Sequence, residues 1–182
     1  MSETFSKITA LVISVLLLFI FPTENLLSRQ DDITQIIVLN ETTEFVDSVR
    51  NLGYITPLMY MQFCEALSAT GNIYEITMEH IHTSIDPIYT DPDDMTSFQH
   101  DYGINQRITY TEEILEQLFP QNSLPSHSVN RYRLSVGDFF RVRVYNASKT
   151  PAAKVQQLLL MSELPVRRII VNYGGMVRDE NN

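Results

Sequence analysis

His80 and His82 lie two residues apart in a stretch, Asn72 to His82, where apolar and polar residues alternate. On a strand, residues i and i+2 project from one face. Two imidazoles on one face can hold a metal ion once a third ligand arrives. His100 or a nearby aspartate could supply it. The competing reading, an ordinary strand end with one half-buried histidine, is the expectation, and no metal site is predicted. Asp86, Asp91, Asp93 and Asp94 surround Pro92 and offer the clustered oxygens that Ca²⁺ takes. The EF-hand spacing and its glycine are missing, so a solvated acidic loop is expected. Cys64 could act as a nucleophile beside a base. Its helical phase groups it with Tyr60, Phe63 and Leu67, which predicts a buried, inert thiol. Gly174-Gly175 lacks the surroundings of a phosphate loop. No nucleophile–base pair stands out, so neither a catalytic residue nor a cofactor is predicted.

The elements that carry these residues begin with a greasy segment. Ile8 to Phe21 reads ITALVISVLLLFIF, fourteen residues without a charge. At 1.5 Å per residue it covers roughly 21 Å, short of the ~30 Å hydrocarbon core. Phe5 below it and Leu26 and Leu27 above it can extend the span, and membrane helices tolerate a proline such as Pro22. A cleaved signal needs a basic leader and a small-x-small exit. Here the exit is Phe21-Pro22-Thr23-Glu24-Asn25 and the leader has only Lys7 and the α-amine. A retained anchor is therefore expected, with Ile8, Leu11, Val15, Leu18 and Phe21 facing lipid. A helix buried in a soluble core is the third reading, disfavoured because the run is apolar on every face. Lys7 precedes the run and Glu24, Asp31 and Asp32 follow it, so the positive-inside rule puts the N-terminus in the cytoplasm and the rest outside.

Beyond the anchor, Val38, Thr42, Phe45, Val49 and Leu52 recur on one side of a helix, and Ile33 and Ile37 widen the stripe. Gly53 is a plausible stop. The expected division is an anchor over 1–27, an amphipathic stalk over 28–53, a head over 54–178 and a tail over 179–182. Thr56-Pro57 opens a second helix that Gly71 closes. A strand over 72–82 follows. Residues 83–108, rich in aspartate and carrying Pro87, Pro92 and Gly103, read as a long surface loop. Thr111 is the expected cap of a short helix ended by Pro120, and 121–130 is turn-rich. Arg131–Leu134 and Phe139–Tyr145 read as a hairpin. Thr150-Pro151 opens a helix reaching to about Met161, and Arg167–Tyr173 forms the last strand. The fold class is α+β: a long anchoring helix, then a small antiparallel-sheet head in the order β-α-β-β-α-β, which suits a ferredoxin-like sandwich.

The chain has 182 residues, 44% of them apolar, and a formal charge of −9. That balance argues against nucleic acid as a partner. One cysteine cannot form an internal disulfide. Residues 75–116 hold ten acids and one base, whereas 131–178 hold nine bases and two acids. Either the two regions complement each other within the head, or they present unlike docking surfaces.

Phe45-Val46-Asp47-Ser48-Val49-Arg50, Gly53-Tyr54-Ile55-Thr56, Tyr60-Met61-Gln62-Phe63 and Thr70-Gly71-Asn72-Ile73-Tyr74 form one recognisable stretch. Gly137-Asp138-Phe139-Phe140, Thr150-Pro151-Ala152-Ala153 and Tyr173-Gly174-Gly175-Met176-Val177 extend it. With the N-terminal apolar helix, this resembles small proteins that accompany Gram-positive Tad (Flp) pilus assembly systems, and is similar to TadE-like minor pseudopilins. The resemblance implies a membrane-embedded, non-enzymatic part of a pilus or secretion apparatus, with the membrane and other assembly proteins as partners. It departs from processed prepilins in that no glycine precedes Glu3. The alternative is a membrane-tethered sensor with a ligand or metal near Tyr74, His80 and His82.

Overall fold

A computed structural model describes residues 2–91, 93, 97–120, 130–160 and 169–178. Helix α1 spans Ser2–Leu52, 51 residues, about 77 Å at the standard rise. Pro22 sits inside it and, lacking an N–H, leaves the Leu18 carbonyl without its usual partner. The polar side chains nearby are satisfied locally: Thr9 Oγ1 donates to the Phe5 carbonyl at 2.9 Å and Thr23 Oγ1 to Phe19 at 2.7 Å. The helix is exposed in its first half. From residue 31 onward it enters the core, where Thr34, Val38, Thr42, Phe45 and Val49 are buried. The expected stripe is present but narrower, because Ile33 and Ile37 stay exposed. Residues 28–53, expected as a stalk, thus serve as the spine of the head.

Gly53 ends α1 at φ +70°, a backbone region where glycine meets no penalty. Its N–H reaches the Val49 carbonyl at 2.9 Å. Strand β1 (Tyr54–Ile55) follows, then helix α2 (Pro57–Ser68), whose cap Thr56 accepts from the Met59 N–H as its sequence predicts. Phe63 of α2 stacks on Phe45 of α1, ring centroids 4.5 Å apart.

The main sheet comprises β2 (Tyr74–Tyr89), β3 (Phe98–Tyr110), β5 (Phe139–Asn146) and β6 (Ile170–Met176). Its order is β3-β2-β5-β6 and every neighbouring pair is antiparallel. Two sequence expectations change here. Residues 83–89 and 98–108 are not loop: they form most of the two arms, β2 and β3, of a long hairpin. Pairing with β5 stops at Ile81, so the hairpin continues beyond the body as a two-stranded ribbon. Second, β4 (Tyr132–Arg133) does not pair with β5 but with β1, in a separate two-stranded sheet. The order β-α-β-β-α-β is therefore replaced: β3 joins the main sheet and β4 leaves it, although four antiparallel strands remain.

Helix α3 (Thr111–Leu118) begins one residue earlier than expected, with Tyr110 at the cap position. The Thr111 hydroxyl is engaged elsewhere: it accepts from the Met78 N–H at 2.7 Å, just where the β2–β3 ladder ends. Helix α4 (Pro151–Leu160) is opened by Thr150, whose Oγ1 accepts from the Ala153 N–H at 3.3 Å. Strand β6 runs through the Gly174-Gly175 pair rather than stopping before it. Asp94, residues 121–129, Met161, Arg167 and the tail 179–182 lie outside the described residues.

One face of the sheet meets the helices. Met78, Phe140, Val142, Val144 and Val171 point there and join Val46, Phe63, Ile114 and Leu118 in a single core. The other face is uncovered among the described residues. Glu79 lies on it, buried beneath Arg141 and Arg143, the latter at 2.9 Å. Further along the hairpin, Ile85, Ile104 and Ile108 are exposed on that same face.

Candidate functional site

Two places combine unusual chemistry with position: the apolar half of α1 and the histidine pair. On α1, Ile8, Leu11, Val15, Leu18 and Phe21 are all between 50 and 69% exposed. Apolar groups on every side of a helix, touching nothing, are what a lipid environment accommodates and water does not. Among the described residues this is the one helix long and apolar enough to cross a membrane. The apolar surface continues past the span through Leu26, Ile33 and Ile36, also exposed.

His80 and His82 project from one face of β2, as the strand period predicts. Their shared partner is Asp138, from the turn before β5. His80 Nε2 lies 2.8 Å from Asp138 Oδ2 and His82 Nδ1 2.7 Å from Oδ1. An ionised carboxylate only accepts, so both imidazoles donate. The Ser135 N–H adds a third bond at 2.7 Å. On its other side, His80 Nδ1 is 2.6 Å from the Tyr132 hydroxyl, which also bonds Thr109. With the imidazole neutral, Tyr132 donates to Nδ1 and the chain of donors runs toward Asp138.

Burial of Asp138 works to raise its pKa. The bonds from Ser135, His80 and His82 outweigh it and hold the carboxyl below its usual range. Burial pushes the Tyr132 hydroxyl up. A shallow recess of about 290 Å³ opens beside the cluster, lined by His82, Arg107, Glu113 and Gln117 among others.

This arrangement binds its own members. Nitrogen–oxygen separations of 2.7–2.8 Å are hydrogen bonds, whereas ligands around one zinc ion at 2.0–2.1 Å sit about 3.3 Å apart. Among the described residues no group of three or more His, Cys, Asp or Glu side chains is placed to hold a metal. His100 does not join the pair. It sits on β3 at φ +56°, against the Phe98 ring. Asp86 accepts from Asn105 at 2.6 Å and Asp91 from the Asp93 N–H at 3.1 Å, so these acids tie the hairpin together. Cys64 is half-buried beside Tyr60, and burial raises its pKa, favouring the unreactive thiol over the thiolate.

The partner missing from the sequence reading was Asp138. It stands 58 positions from His80, and only the pairing of β2 with β5 brings the two together. Its one signal was Gly137-Asp138, legible as a turn. Comparison with protein-family models, curated proteins and solved structures returns no match.

Proposed function

We propose that this chain is a single-pass membrane protein without enzymatic activity, a structural or accessory part of a Tad (Flp)-type pilus or related envelope assembly. The observation that carries the reading is the continuity of α1. One helix supplies both an apolar rod exposed on every side and the spine of a folded head. Such a rod needs a lipid surrounding, and the head needs the later half of the same helix for its core. The N-terminus lies in the cytoplasm and the head outside, from the charge bias around the apolar run. Exposed Leu26, Ile33 and Ile36 offer a helix surface for packing with other assembly proteins. The resemblance to TadE-like minor pseudopilins supplies the choice of machine.

Deleting Ile13 to Leu18 should move the protein from the membrane fraction to the soluble one; retention in the membrane would refute the anchor. Deleting the gene in its host should remove assembled pili from electron micrographs, and the chain lacking Ile13 to Leu18 should not restore them. Unchanged piliation would refute the pilus role.

A second reading, a membrane-tethered sensor, draws on the recess beside His82. Metal analysis of a fragment spanning residues 27–182 addresses it: stoichiometric zinc or calcium would favour the sensor.

A further inference from the structure

Helix α4 lies against α1 just where α1 emerges from the head. Thr150 Oγ1, at the start of α4, donates to Asp31 Oδ2 at 2.6 Å. Gln156 Nε2, further along α4, donates to Glu24 Oε1. Six residues of α4 and seven of α1 separate these ties, roughly 9 and 10 Å at the helical rise. The two helices therefore run side by side in opposite directions, and α4 points back toward the apolar segment. On α1, Ile20, Glu24, Leu27 and Asp31 share one face and are half-buried or buried. This is the face on which α4 lies.

Continuing the same register, Leu158 and Leu159 fall level with residues 20 to 22 of α1, the upper end of the apolar run. Leu158 is 78% exposed and Leu159 is exposed beside it. Lys154 precedes Leu158 by four residues, on the same helix face and also exposed. An exposed leucine at the end of a membrane span, with a lysine one turn above it, is the pattern of an interfacial helix whose ammonium reaches the lipid phosphates.

We propose that α4 is a membrane foot: Leu158 and Leu159 enter the leaflet that surrounds Phe21, and Lys154 rests among the headgroups. This deepens the anchor reading and rests on it. The head then sits against the bilayer, held at two points, instead of riding above it on one rod. Other occupants of the leucine pair, such as a second protein surface, lack the feature that singles out lipid: continuity with the apolar run of α1.

The test uses the full chain with Cys64→Ala in vesicles of phosphatidylcholine and phosphatidylglycerol. Single cysteines are introduced as Leu158→Cys, Leu18→Cys and Ile104→Cys, and each is labelled with an environment-sensitive fluorophore. Lipids brominated high or deep along the acyl chain serve as quenchers. The label at 158 should lose emission to the shallow bromines, the one at 18 to the deep bromines, and the one at 104 to neither. Quenching at 18 with none at 158 would overturn the foot while sparing the anchor. Blue-shifted but unquenched emission at 158 would mean that protein covers it, and would overturn the foot equally. Absence of quenching at 18 would remove the anchor, and the foot with it.

Discussion

Asp138 shows how one carboxylate can hold three pieces of chain. Its bonds fasten β2, through His80 and His82, to the turn at Ser135, and His80 passes the connection to Tyr132 of β4. Asp138→Asn keeps the shape but offers only one acceptor oxygen, so an amide N–H₂ replaces the acceptor facing one of the two imidazoles. A loss of about 1–3 kcal/mol in urea unfolding near neutral pH is expected. The pH dependence has a definite sign. A carboxyl whose folded-state pKa is depressed adds stability above its unfolded pKa, and loses that contribution as pH falls through the depressed value. The gap between the wild type and Asp138→Asn should therefore be widest above the ordinary carboxylate value of about 3.9 and shrink below it. Arg107, Arg133 and Glu113 also face the cluster. A gap that widens on acidification would contradict this account. The histidine pair was readable from its spacing alone. Its partner was not, because strand pairing rather than local pattern sets the distance between residues 80 and 138.

Among the elements, β6 places a glycine pair where side chains would not fit. A Cβ on Gly174 would come within 2.7 Å of the Phe140 carbonyl oxygen and 2.9 Å of Arg141 Cα. Backbone atoms in the middle of a sheet cannot yield without moving β5. A Cβ on Gly175 would meet the Arg50 guanidinium at 2.5 Å, the end of a long side chain bonded to the Met176 carbonyl and to Asp47. Gly174→Ala should cost about 1–3 kcal/mol and Gly175→Ala less, as Arg50 swings aside; thermal unfolding of both variants reads the order. The reverse order would show that Arg50 is the more rigid neighbour. The capped helices were legible because Thr-Pro marks their starts. The hairpin was not. Beyond Ile81, among the described residues, both its faces meet solvent and one edge of β2 is unpaired, so neither alternation nor the ladder restrains its composition. Pro87 can stand there without costing a hydrogen bond to β5. Strands β1 and β4, two residues each, are too short to carry a period.

For the molecule as a whole, the decisive arrangement is that the head has no core of its own without α1. Val38, Phe45, Val46 and Val49 are buried among the strands and helices that follow them. A chain begun at Leu27 should therefore fold cooperatively, whereas one begun at Tyr54 should show no cooperative melting by circular dichroism; equal melting of the two would refute the shared core. The opposed charges of residues 75–116 and 131–178 meet in part within the sheet, through Glu79 with Arg141 and Arg143. The overall plan, an apolar helix followed by an α+β head, was legible from hydropathy and periodicity, since both are properties of consecutive residues. That the amphipathic half packs on the head follows from the same stripe; which strands and helices cover it does not, because a stripe records that a face is covered and not what covers it. Spine and rod being one piece has a mechanical corollary. A sideways load on the ribbon of β2 and β3 acts as torque on a single lever, with no slack joint to absorb it. Pro22, where the helix lacks one rung, is the natural fulcrum, so a load applied to the outer end is passed to the apolar rod as tilt.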